Sequence, residues 1–207
     1  MMTRPKQPQE VPAFARACLD ALAVEGLGSS ISLGGAFGLA HYLEYRPTHD
    51  VDAWWVEPVE RERRRQIIGT LEEALRTFGE VRTRSWGDVV SVELRQEGKT
   101  VFSFQIARRS AELRPPLASP WPGEIRLDSL EDLIAGKMTA LVERGAPRDF
   151  RDIYTLCQRG LASPARCWEL WEERQRMAGE DTDRRRASLA IRTHLTRIEQ
   201  VRPLPQI

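Results

Sequence analysis

Two glycines and two aspartates, set one short helical stretch apart, constrain this chain more than any other feature. Ser30 to Leu33 alternates apolar and small polar residues and predicts a strand. Gly34 and Gly35 interrupt it, and Ala36 to Tyr45 then carries Phe37, Leu39, Ala40 and Leu43 at helical spacing. Strand, glycine turn and helix start together form an anion site: glycine lets the backbone approach a phosphate, and the free amides of a helix start point at it. Val51 to Val56 predicts the next strand. Side chains two apart on a strand share a face, so Asp50 and Asp52 point the same way. Carboxylates so placed repel unless a cation sits between them, and oxygen-only ligands favour magnesium. The chemistry implied is phosphoryl or nucleotidyl transfer, with the metal holding a triphosphate.

Length and charge bound the alternatives. A chain of 207 residues suffices for one compact domain with a helical extension. No apolar run approaches the roughly 20 residues of a membrane span. The first ten residues are polar and contain proline, without the apolar stretch of a signal peptide, which predicts a cytoplasmic protein with no membrane partner. Cys18, Cys157 and Cys167 have no zinc spacing and suit a reducing compartment. A net charge of +1 does not announce a nucleic-acid binder. Only three lysines stand among 31 basic residues, so Lys137, on an apolar stripe, is unusual.

Along the chain, Val11–Val24 and Glu57–Phe78 have helical spacing, and Val81–Trp86, Val89–Leu94 and Thr100–Ile106 predict strands, with a turn at Glu97-Gly98. The pattern predicts an α/β (α+β) domain with a mixed sheet over residues 10–118. Arg114 to Gly123 holds four prolines and reads as a linker or irregular crossing segment. A helical C-terminal domain over 119–207 follows. Its first helix is expected to be capped by Asp128 with Glu131 as the capping-box partner, and Pro147 and Pro164 open later helices.

On the helix from Ser129 to Glu143, Leu130, Leu133, Ile134, Met138 and Leu141 form the apolar face, and Lys137 falls on it. A buried ammonium needs a carboxylate or a phosphate; a lysine at the stripe's edge instead reaches water. Asp149 and Asp152 follow on the next helix, three apart. Asp149 sits in the first turn, where the helix dipole favours a carboxylate, and Asp152 is placed to pair with Lys137, with Arg148 or Arg151, or to orient an acceptor.

Gly34-Gly35, Arg46-x-Thr48-x-Asp50-x-Asp52, Asp132-Leu133-x-Ala135-x-Lys137-x-x-Ala140-Leu141-x-x-Arg144 and Arg148-Asp149-x-x-Asp152 together resemble the AbiEii/AbiGii-type nucleotidyltransferases. These are toxins of type IV toxin–antitoxin systems in the DNA polymerase β-like superfamily. The resemblance covers about residues 30 to 160. It implies a polymerase β-like nucleotidyltransferase domain, a nucleoside triphosphate substrate with Mg2+, an RNA acceptor such as the 3′ end of tRNA, and a cognate antitoxin. It implies that Gly34 and Gly35 cradle phosphate and that Asp50 and Asp52 hold the metal. Lys137 would contact the triphosphate, and Asp152 would act as base or orienter. Arg46 and Thr48 would shape the turn before the metal strand, and Arg144 and Arg148 would touch phosphate. The wider superfamily carries a third carboxylate on a later strand, where this chain has Gln105, with Glu93 as a possible substitute.

Three further readings stand beside this one. They are a nucleotidyltransferase acting on a small-molecule hydroxyl, a non-catalytic binding module motivated by Gln105, and a glycosyltransferase using the Asp-x-Asp pair. The last leaves Lys137 and Asp152 unexplained.

Overall fold

A computed structural model describes residues 4–201. The end of the predicted helical domain, residues 202–207, lies outside the described residues. The chain divides into two compact units. The first takes in the residues through Arg109 together with Pro115–Leu130, and the second takes in Ser110–Arg114 with the residues from Glu131 onward.

The first unit begins with α1 (Ala13–Val24) and a 3-10 turn, then β1 (Ile31–Gly34), α2 (Gly35–Ala40), β2 (Val51–Trp55), α3 (Arg61–Arg76), β3 (Glu80–Trp86), β4 (Val89–Gln96) and β5 (Lys99–Ala107). Two short strands, β6 (Leu117–Ala118) and β7 (Arg126–Leu127), complete it. The seven strands form one mixed sheet in the order β3-β4-β5-β2-β1-β7-β6. Strand β2 runs antiparallel to β1 and parallel to β5. Glu97 and Gly98 both adopt positive φ, 51° and 76°, between the paired residues Gln96 and Lys99, as a two-residue hairpin turn requires.

Alternation along the strands sorts the sheet into an apolar and a polar face. Ile31, Leu33, Val51, Ala53, Trp55, Val92, Leu94, Phe102, Phe104 and Ile106 form a buried cluster with Ala15, Cys18, Leu19 and Leu22 of α1 and Ile67, Leu71 and Leu75 of α3. Burying each large side chain contributes about 1.5–3 kcal/mol. The opposite face carries Ser32, Asp52, Trp54, Ser91, Glu93, Ser103 and Gln105. The chemistry-bearing residues of this unit therefore share one face because the other is consumed by the core.

Three expectations change. The helix expected over Ala36–Tyr45 ends at Ala40: the amides of His41 and Tyr42 bond Gly38 O and Leu39 O at 3-10 spacing, and the His41 ring takes the Phe37 carbonyl that the next α-helical bond would use. The proline-rich segment is not a plain linker: it supplies β6, flanked by prolines at the edge of the sheet where missing N–H groups cost least, and leads into β7 beside β1. Asp128 does not stand at the cap position of the helix that follows. That helix starts at Leu130, and the Asp128 side chain bonds Ser32 and Arg109.

The second unit is helical: α4 (Leu130–Glu143, whose first residue belongs to the first unit), α5 (Pro147–Gln158), α6 (Pro164–Ala178) and α7 (Arg184–Val201). Ser163 caps α6 by accepting from the Arg166 amide, and Gly179 ends it in the left-handed conformation. Cys18 and Cys167 are buried and Cys157 is half-buried; all three are free thiols, and burial pushes Cys18 and Cys167 up to about 12. Trp168 and Trp171 meet edge to face. No helix among the described residues is long and apolar enough to cross a membrane.

His41 ties α2 to the proline-rich segment. Trp121 donates its indole N–H to His41 Nε2 at 2.8 Å, so Nδ1 carries the ring proton and donates to Phe37 O at 2.9 Å. Burial holds the His41 pKa below the ordinary value of 6.5. A group that the unfolded chain protonates more readily than the folded one destabilises the fold as pH falls below 6.5. Protonation also removes the acceptor for the buried Trp121 N–H, at about 1–3 kcal/mol. Urea unfolding between pH 7.5 and 5.5 is expected to show this loss, and His41→Gln, which keeps an acceptor and a donor without titrating, is expected to flatten it.

Candidate active site

The glycine turn packs directly on the second aspartate. Gly34 is the register partner of Asp52 across the β1–β2 pair, and Gly35 follows at φ +56°. A Cβ on Gly35 would lie 2.0 Å from Asp52 Oδ2 and 2.7 Å from its Cγ, and one on Gly34 would lie 2.3 Å from Trp54 Nε1. Both positions exclude a side chain, and Gly35 also needs a conformation L-residues avoid. The turn therefore brings bare backbone against a carboxylate.

Asp50 precedes β2 by one residue and is exposed. Its Oδ1 accepts both the backbone N–H and the hydroxyl of Ser103, each at 2.9 Å. Asp52 is half-buried, and its neighbour in the parallel β2–β5 pair is Gln105. Gln105 thus occupies the position beside the aspartates where a third carboxylate would be looked for. Glu93 lies one strand further away, opposite Ser103, and pairs with Arg84 at 3.7 Å. No group of three histidines, cysteines or carboxylates able to hold a metal occurs among the described residues. Two carboxylates, both oxygen donors on one face, fit a hard cation that fills its remaining positions with water and phosphate oxygens.

The turn before β2 is braced locally. The Thr48 hydroxyl donates to Asp50 O at 3.2 Å, while Arg46 donates to Pro47 O at 3.4 Å and lies over the Tyr45 ring. On the other side of the glycine turn, Asp128 is buried, accepts the Ser32 hydroxyl at 2.6 Å and pairs with Arg109. Its backbone N–H donates to Leu33 O and its carbonyl accepts the Tyr42 hydroxyl, both at 2.9 Å. Arg109 lies over the Trp54 ring. Sequence reasoning passes over Ser103 and Trp54 and gives Asp128 only a capping role. The alternation Phe102-Ser103-Phe104-Gln105 carries the signal for Ser103; the strand β7 that delivers Asp128 is too short to carry one.

In the second unit, Lys137 is 8% exposed and its Nζ lies 2.7 Å from Oδ2 of the fully buried Asp152. The helix spacing thus brings together two of the residues singled out, and of the pairings open to Asp152 the structure shows the one with Lys137. Removing either partner of such a buried pair typically costs about 3–5 kcal/mol. Asp149, also fully buried, accepts Arg144 through both oxygens at 2.9 Å and the Ala146 N–H at 3.0 Å, closing the α4–α5 turn. Arg144 is thus engaged with a carboxylate, whereas Arg148 is exposed. Asp132 accepts the amides of Leu113 and Arg114 at 2.8 and 3.0 Å, which fastens that short segment to α4.

Gly35→Ala separates strain from collision. Gly26 has a similar φ of +62°, and a methyl group added there would meet nothing within 4 Å, so Gly26→Ala carries strain alone. Strain of this kind is about 1–2 kcal/mol. Chemical unfolding is expected to show that loss for Gly26→Ala and a distinctly larger one for Gly35→Ala, which must also displace the Asp52 carboxylate.

Comparisons with known proteins bear on the fold and the family. Among solved structures, JHP933 from Helicobacter pylori superposes with a TM-score of 0.54 at 14% identity, covering 93% of this chain and 95% of that one. An antigenic nucleotidyltransferase-like protein from Paracoccidioides brasiliensis matches with a TM-score of 0.44 at 19% identity, covering 96% and 91%. No curated protein sequence matches the chain. The family model for the nucleotidyl transferase AbiEii toxin of type IV toxin–antitoxin systems matches residues 17–203. With a glycine turn set against an Asp-x-Asp strand and a buried Lys137–Asp152 pair inside that span, the chain belongs to the AbiEii nucleotidyltransferase toxin family.

Proposed function

We propose that the protein transfers a nucleoside monophosphate from a nucleoside triphosphate to an RNA acceptor, with the 3′ end of tRNA as the preferred substrate. It acts in the cytoplasm as a toxin whose cognate antitoxin restrains it. The observation that carries the reading is the contact of Gly35 with Asp52: a fold that admits no side chain between a turn and a carboxylate keeps bare backbone where phosphate and cation meet.

The residues take their roles from their chemistry. Asp50 and Asp52 would hold Mg2+, which supplies charge neutralisation of the triphosphate when bound. Gly34 and Gly35 present backbone to phosphate. Arg46 and Thr48 hold the turn that presents Asp50. Lys137 has three N–H donors and gives one to Asp152, leaving others for phosphate oxygens. Asp152, fully buried, holds Lys137 through that contact and acts as base or orienter: the acceptor hydroxyl oxygen attacks the α-phosphorus, its proton passes to Asp152 or to water, and pyrophosphate departs. Arg148 is exposed and available to phosphate, and Arg144 joins it if it exchanges Asp149 for the ligand. A net charge of +1 implies that RNA is held by local contacts and not by a global field.

Incubating the purified protein with total RNA, magnesium and each labelled nucleoside triphosphate in turn tests this. Label is expected in a tRNA-sized product, lost by a factor of at least about 100 in Asp50→Ala and Lys137→Ala. Label on a small hydroxyl compound alone, or on nothing, refutes the RNA acceptor.

A further inference from the structure

The polar face of the sheet holds a chain of neutral donors that ends on Asp50. Gln105 Nε2 donates to Ser103 Oγ at 3.4 Å, and Ser103 donates its one hydroxyl proton and its backbone N–H to Asp50 Oδ1. Asp50 lies outside the regular strand and is exposed, so without these bonds its carboxylate would rotate freely. Two donors on one oxygen fix the plane of the group. Both bonds fall on Oδ1, which leaves Oδ2 for another ligand.

Gln105 also sets the charge. It is the neighbour of Asp52 in the parallel pair, so a carboxylate here would place a third negative charge in the row. It would also stop donating to Ser103 and compete with Asp50 for the same hydroxyl proton. The amide keeps the carboxylates in this row at two.

We infer that Ser103 and Gln105 are positioning residues that orient Asp50 and keep the site at two carboxylates before triphosphate arrives. The inference rests on the reading above only in taking Asp50 and Asp52 as the carboxylates that meet a cation.

Mn2+ titration of the full chain without nucleotide, read by the EPR signal of the free ion, tests it. Wild type is expected to bind one ion, and Asp50→Ala none. Ser103→Ala is expected to bind about tenfold more weakly, the low end of the effect of one hydrogen bond to a charged group. Ser103→Thr, which keeps the hydroxyl, is expected to stay within about twofold of wild type. Gln105→Glu is expected to bind about tenfold more tightly, as a third carboxylate would. Matched thermal unfolding midpoints separate this from a folding defect. Wild type without bound Mn2+ would overturn the inference, as would Ser103→Ala equal to wild type or Gln105→Glu binding no tighter. A chain that shows the predicted order of affinities but labels no acceptor keeps the inference and fails the transfer reading. One that labels RNA while all Ser103 and Gln105 variants bind Mn2+ alike does the reverse.

Discussion

The backbone of Gly35 lies against the carboxylate of Asp52 so closely that no β-carbon fits between them. Much of the first unit serves that approach. The β1–β2 pairing sets Gly34 opposite Asp52, and the core on the far face fixes both strands. Strand β7 delivers Asp128 to the outer side of the same turn, where it bonds Ser32 and Arg109. The His41–Trp121 bond ties the segment that makes β7 to the helix leaving the turn. The cation and phosphate contacts proposed for this carboxylate and this turn require a rigid spacing, and these elements supply it.

The second unit uses its buried charge differently. Lys137–Asp152 and Arg144–Asp149 each satisfy a fully buried carboxylate, and neither is an efficient source of stability, since apolar residues of similar volume often serve as well. Asp149 is explained by structure: it closes the α4–α5 turn through Arg144 and Ala146. The Lys137–Asp152 pair closes no turn and instead joins the interiors of α4 and α5.

The elements legible in the sequence are those whose pattern repeats. The stripe of α3, the strands β3 to β5 and the Glu97-Gly98 turn follow from periodicity and turn chemistry, and the Asp50/Asp52 pair from the strand period. Lys137 stands out because charge on an apolar helix face is costly. What escapes is decided by tertiary contacts. Asp128 has the local signature of a helix cap, yet Ser32 and Arg109, distant in sequence, claim its carboxylate. Strands β6 and β7 are two residues each, too short for any period to show, and exist because β1 offers them an edge. Helix α2 ends early where the His41 ring takes the Phe37 carbonyl and the backbone tightens to 3-10 spacing, with Trp121, distant in sequence, bonded to the other ring nitrogen.

Everything proposed for the site depends on Asp50 and Asp52 facing one cation beside the glycine turn. A crystal structure of the Asp152→Asn variant with Mg2+ and a non-hydrolysable nucleoside triphosphate tests this most directly. The expected result is a cation within about 2.0–2.1 Å of an oxygen from each aspartate. Phosphate oxygens are expected against the Gly34 and Gly35 backbone. A triphosphate bound away from that turn, with neither aspartate touching a metal, would contradict it.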